Sequence, residues 1–131
     1  MNELGFRIER IDHLVLTVRD VATSTAFYGR VLGLRAFTFG EGRTALAFGN
    51  QKINLHRAGS EFEPKAARPT PGSADLCFIT SAPLDAVTAH LAECGVDVEE
   101  GPVPRSGAIG PMTSLYFRDP DGNLIEIARY D

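Results

Sequence analysis

Apolar and polar positions alternate along IDHLVLTV. Leu14, Leu16 and Val18 fall on one face and His13, Val15 and Thr17 on the other, the period of two that marks a strand. Asp20 then stands at a helix N-cap position. VATSTAFYGRVL follows with Val21, Thr25, Tyr28 and Leu32 at helical spacing, and Gly33 closes it. Three short strand-like runs come next, LRAFTF, RTALAF and KINLHR, punctuated by Gly40–Gly42 and Gly49-Asn50. From Arg57 to Ser73 periodicity disappears, and the Pro, Gly and Ser content of RAGSEFEPKAARPTPGS predicts a linker or long loop.

The same order of elements then starts again. ADLCFIT predicts a strand. SAPLDAVTAHLAECG predicts a helix with Pro83 near its first turn, Leu84, Val87 and Leu91 as its apolar stripe, and Gly95 just past its end. VDVEEG, SLYFRD and LIEIAR supply three more strands, with RDPDGN as the tight turn before the last. The prolines and glycines of GPVPRSGAIGPMT predict a loop. The chain thus reads as strand–helix–three strands, twice: module one at 8–57, a linker at 58–73 and module two at 74–130, in a single domain spanning 1–131. One such unit leaves an apolar sheet face uncovered, so two must pair. The expected class is α+β, two paired βαβββ modules forming a curved, cup-shaped mixed sheet with helices outside.

Alternation also sorts the faces of this cup. The larger aliphatic residues Leu14, Leu16, Val18, Ile53, Leu55, Leu76, Phe78, Ile125 and Ile127 should meet the helices. His13, Val15, Thr17, Asn54, His56, Asp75, Cys77, Ile79, Leu124, Glu126 and Ala128 should then face inward, an assignment that is all-or-none along a strand. Four metal-ligand types, His13, His56, Asp75 and Glu126, share the inner side, one near the first strand of each module and one on its last. Imidazoles and carboxylates facing a cavity need partners, and one divalent cation satisfies them together. Taken singly each has another reading: Glu126 can meet Arg43 or Arg118, and Asp75 can be a turn residue after Gly72-Ser73. Tyr116 points inward by the same rule and is a candidate to orient substrate, and Arg105 is a candidate to bind an anionic substrate group. His90 lies outside the repeat-related set and should be exposed.

Composition narrows the class of partner. A formal net charge of -4, with Lys and Arg scattered singly, argues against nucleic acid or an anionic membrane. No apolar run reaches the roughly 18–20 residues of a membrane span, and MNELGFRIERIDH lacks the pattern of a secretory signal. Two cysteines, Cys77 and Cys94, make no disulfide framework. They read as small buried thiols in a reducing cytoplasm.

IDHLVLTVRDVATSTAFYGRVLGL resembles the opening of the vicinal oxygen chelate superfamily, which includes glyoxalases, extradiol dioxygenases and fosfomycin- and bleomycin-resistance proteins. SLYFRDPDGNLIEIARY resembles its closing signature, and the similarity spans roughly residues 8–130. GSADLCFIT with EEGPVPRSGAIGPM looks closest to the stand-alone glyoxalase-domain-containing protein five branch. The resemblance implies paired βαβββ modules with a divalent metal between them, nickel, cobalt or zinc before iron or manganese, at His13, His56, Asp75 and Glu126. It implies a lyase or isomerase chelating a small substrate through vicinal oxygens, with Glu126, or else Asp75, as catalytic base. Asp75 departs from the histidine common at that position, which leaves open a set of His13, His56 and Glu126 alone. An Fe(II) extradiol-type dioxygenase, a fosfomycin-type transferase and a metal-free drug-binding protein of bleomycin-resistance type are the alternatives on the same scaffold. Small chains of this kind pair, so a homodimer is expected.

Overall fold

Eight strands in two four-stranded mixed sheets, with two helices, make up the computed structural model, which describes residues 4–131. The first unit comprises β1 (His13–Val18), α1 (Val21–Leu32), β2 (Arg35–Phe39), β3 (Arg43–Phe48) and β4 (Gln51–Arg57). The second comprises β5 (Asp75–Ile79), α2 (Leu84–Glu93), β6 (Glu100–Ser106), β7 (Pro111–Arg118) and β8 (Leu124–Tyr130). Strand orders β1-β4-β3-β2 and β5-β8-β7-β6 are the same arrangement twice. In each, the first and last strands run parallel and the remaining pairs antiparallel. The α+β class and the doubled βαβββ pattern therefore hold. The two sheets stay separate and do not close into one continuous cup.

Local signals work as their chemistry requires, with two departures. Gly33 takes the left-handed conformation (φ 69°) that ends α1, its N–H donating to the carbonyl of Gly29 while that of Leu34 reaches Tyr28. Asp20 has the extended backbone of an N-cap, but its carboxylate accepts from the Thr23 hydroxyl at 2.5 Å instead of from a backbone N–H. The larger departure is β6. The stretch expected to be a loop is mostly strand, Glu100–Ser106 and the start of β7 at Pro111. β6 is the outermost strand of its sheet, where Pro102 and Pro104 need give up no ladder bond. Gly101 (φ 117°) breaks the register there. A Cβ on it would lie 2.4 Å from the Ser114 carbonyl oxygen, so only glycine lets the two strands approach.

One core serves both modules. Leu16, Val18, Ile53 and Leu55 of the first sheet and Phe117, Ile125 and Ile127 of the second meet Tyr28 and Val31 of α1 and Leu91 of α2. α1 touches the other module directly: Phe27 lies 6.3 Å from Phe117 between ring centres, and the Tyr28 hydroxyl donates to Asp119 Oδ2 at 2.6 Å. The Arg30 guanidinium and the carbonyl of Cys94 join the helices at 2.8 Å. The helix-facing sides of the two sheets are thus packed toward each other through the helices, and their opposite faces point away from the core. The cysteines are not both buried as expected: Cys77, on the face turned away, is exposed and Cys94 is half-buried.

Candidate functional site

On the outward-facing side of the first sheet, β1 and β4 place His13, Val15 and Thr17 opposite Lys52, Asn54 and His56. His13 is exposed at the start of β1, its Nδ1 2.9 Å from Asp12 Oδ1. Asn54 Oδ1 and His56 Nδ1 are buried with no hydrogen-bond partner. His56 stands edge-on to Phe62, with 5.6 Å between ring centres, and the Arg43 guanidinium lies 4.6 Å over that phenyl ring. Burial, then the charge of Arg43, holds the His56 imidazole below its usual pKa and keeps it neutral near pH 7.

The second sheet builds a denser cluster. Glu126 on β8 is flanked by Cys77 on β5 and Tyr116 on β7, its direct cross-strand partners. Glu126 Oε2 and the nearby Ser114 Oγ are buried without partners. Desolvation, then the carboxylate of Glu126, pushes the Cys77 thiol up to about 11, so it is no ready nucleophile. The Tyr116 hydroxyl accepts from Arg105 Nε at 2.8 Å, and the same guanidinium reaches Glu100 Oε2 at 3.2 Å. Desolvation raises Tyr116, and Glu126 adds to that rise against the opposing hydrogen bond from Arg105. Arg105 therefore sits on a strand, not in a loop, and anchors Tyr116. Neither arginine considered for Glu126 goes to it: Arg118 forms two 3.0 Å bonds with Glu99, and Arg43 lies on Phe62.

The registers correct one part of the repeat. His13 faces Lys52 and Asp75 faces Leu124, so two residues on Asn54 matches Glu126, and four on His56 matches Ala128. His56 is one pleat, roughly 6.6 Å, beyond the position that mirrors Glu126. Asn54 is the polar residue that sequence reasoning passed over. Its place in an otherwise apolar strand, two before His56, was the available signal.

Within one chain, His13, Asp75 and Cys77 line a common cleft of about 420 Å³ with Lys52, Phe48 and Phe78. His56 lies on a separate cavity with Thr17 and Lys65. Among the described residues no three of His, Cys, Asp and Glu gather closely enough to hold a metal ion, so the expected four-ligand cluster does not form in a single chain. The two outward faces instead carry separate sets of donors beside exposed apolar side chains, Val15 at 45% and Ile79 at 55% exposure. His90 is exposed as expected, with Nε2 2.9 Å from the Val31 carbonyl oxygen.

A profile of the Glyoxalase/Bleomycin resistance protein/Dioxygenase superfamily matches residues 10–127. The chain is 61% identical over 123 residues to the virulence protein STM3117 of Salmonella typhimurium, covering 94% of this chain and 85% of that protein. The crystal structure of that protein superposes with a TM-score of 0.95, at 60% identity over 96% of this chain and all of the other. The glyoxalase domain-containing protein RDO1 of Mycosarcoma maydis is 53% identical over 94% of this chain and 69% of its own length. A lactoylglutathione lyase from Agrobacterium tumefaciens shares the fold, with a TM-score of 0.72 at 22% identity over 94% of this chain and 95% of the other.

Proposed function

The chain belongs to the glyoxalase/bleomycin resistance protein/dioxygenase superfamily, and on that premise we propose that it is a divalent-metal-dependent, glyoxalase-type lyase or isomerase. It acts as a homodimer in the cytoplasm on a small molecule presenting neighbouring oxygens. The observation that carries this reading is the Glu126 carboxylate, half-buried with Oε2 lacking any donor, on a face that the chain itself leaves open. A buried carboxylate oxygen without a partner is costly, and a cation supplied across an interface removes that cost. His13, Asp75 and Glu126 fit a divalent ion by donor chemistry, a mixed imidazole and carboxylate set that suits nickel, cobalt or zinc. Asn54, at the mirror position of Glu126, is the fourth inward donor, and the register sets His56 apart from the group. When bound, the metal supplies Lewis-acid polarisation of the substrate oxygens.

The chain's own residues do the rest. Glu126 accepts a proton from the substrate carbon, its unpartnered oxygen free for the purpose. Tyr116, fixed by Arg105, presents its hydroxyl beside Glu126 and orients the substrate. The exposed Ile79, with Phe6 at 61% and Ile8 at 81% exposure on the segment before β1, supplies the apolar surface that pairs two copies.

Light scattering and metal analysis of the natively purified protein test this together. A dimer with about one nickel, cobalt or zinc per chain is expected, and Glu126→Ala and His13→Ala should each remove at least nine-tenths of the metal while leaving the dimer. A wild-type protein that takes up none of these ions, or variants that retain them in full, overturns the metal reading. A monomer at high concentration overturns the pairing.

A further inference from the structure

Beyond His13, the open face of the first sheet runs into a separate cavity of about 400 Å³. Val15, Thr17 and His56 form its floor, and Pro64, Lys65, Ala66 and Pro69 of the segment between the modules form its roof. Thr17 is four residues from His13, roughly 13 Å along the strand, so this cavity is not the cleft that His13 lines. His56 is 6% exposed, and its Nδ1 has no hydrogen-bond partner, an arrangement that is costly unless a ligand completes it.

Lys65, the one cation among the lining residues, is paired with Glu63, and Arg43 lies over Phe62. The lining itself therefore offers an anion no free cation. The remaining walls are apolar, and the volume is that of a small-molecule pocket. We propose that this cavity binds an uncharged, mostly apolar alcohol or phenol, whose single hydroxyl hydrogen-bonds the His56 imidazole while its ring or alkyl body lies against Val15, Pro64, Ala66 and Pro69. An imidazole ring offers a hydroxyl a nitrogen partner, and the Nδ1 of His56 is the one left without a hydrogen bond. The site rests on the cavity alone and stands whether or not the chain uses a metal.

Phenol, toluene and benzoate, titrated into the full-length protein and followed by NMR of the histidine ring nitrogens and the Val15 and Thr17 methyls, test it. Phenol should shift these signals and bind at least tenfold more tightly than either toluene, which lacks the hydroxyl, or benzoate, which is charged. His56→Phe should reduce phenol to the affinity of toluene, and His56→Gln, which keeps a hydrogen-bonding group, should recover part of the loss. Should His56→Phe fail to fold, the three-ligand comparison on wild type and on His56→Gln decides the matter. No phenol binding, phenol no tighter than toluene or benzoate, or shifts confined to other residues overturns the proposal.

Discussion

Replacing Tyr28 by Phe removes one hydroxyl from the contact that ties the first module to the second. Tyr28 is fully buried on α1 and donates to Asp119 Oδ2 at 2.6 Å. Asp119 also accepts from Asn123 Nδ2 at 2.8 Å and from the N–H groups of Asp121 and Asn123, each at 2.9 Å. A hydrogen bond to a charged group is worth about 1.5–3 kcal/mol. The phenyl ring keeps the volume and the edge-on contact with Phe27 at 5.4 Å, so no cavity is added. Three donors still satisfy the carboxylate, which places the expected loss near the lower part of that range, about 2 kcal/mol, or about 8 °C in melting temperature for a chain of this size. Urea unfolding at fixed protein concentration should show the lower midpoint with an unchanged m value. Alkaline pH supplies an independent reading. Burial, then the bond to Asp119, raises the Tyr28 pKa far above that of an unfolded tyrosine. Its contribution is therefore complete below about pH 10 and is lost above it, by about 1.4 kcal/mol per pH unit, as the unfolded phenol ionises and the folded one does not. The gap between wild type and Tyr28→Phe should narrow at that rate. A gap below about 0.5 kcal/mol at neutral pH, within the range of ordinary surface changes, or one that stays constant through pH 11, refutes the account.

Gly101→Ala puts a Cβ 2.4 Å from the Ser114 carbonyl oxygen at a φ of 117°, and should cost about 3 kcal/mol in chemical denaturation by forcing β6 away from β7. His56 has its pKa lowered by burial and by Arg43, so the unfolded chain takes up its proton first. Stability from this group is present above about pH 6.5 and falls as pH drops through the folded pKa, and His56→Phe should flatten that acid limb in melting curves. Ile79→Asp, placing a charge on the open face of β5, should shift light scattering from dimer toward monomer without lowering the helix and strand content seen by circular dichroism.

Most of the fold was legible because its elements depend on local chemistry. Alternation gave the strand faces correctly: Leu16, Val18, Ile53 and Ile125 are core, while Val15, Cys77 and Ile79 are exposed on the opposite side. β6 was missed because Pro102, Pro104 and Gly101 signal a loop, and what licenses them is an edge position that only the tertiary pairing creates. Of the four candidate donors only His56 lies off the repeat, one pleat beyond the position that mirrors Glu126. A period of two says which side His56 occupies and nothing about how far along β4 it lies relative to β1, so Asn54 as the counterpart of Glu126 emerged only from the registers. The pattern is equally silent on which faces of two like sheets meet inside one chain. Both arrangements bury the same apolar set.

That last ambiguity decides how the proposed metal site can be tested most sharply. Through α1 the two modules share one core on their helix-facing sides, and among the described residues the donors of β1 and β4 and those of β5 and β8 form no common cluster, although His13 and Asp75 border one cleft. A two-fold axis that lays the first sheet of one copy against the other sheet of its partner makes two equal sites, each with His13 from one chain and Glu126 from the other chain. Co-expressing His13→Ala chains with Glu126→Ala chains then has a definite outcome. In a mixed dimer one site receives both substitutions and the other receives neither. With random pairing, about half the dimers are mixed and each holds one intact site of two, so metal content and any activity should recover to about a quarter of the wild-type level, although each variant alone has almost none. If the ion were instead held inside one chain, in the cleft where His13 and Asp75 already share a wall, every chain in the mixture would carry a defect and nothing would recover.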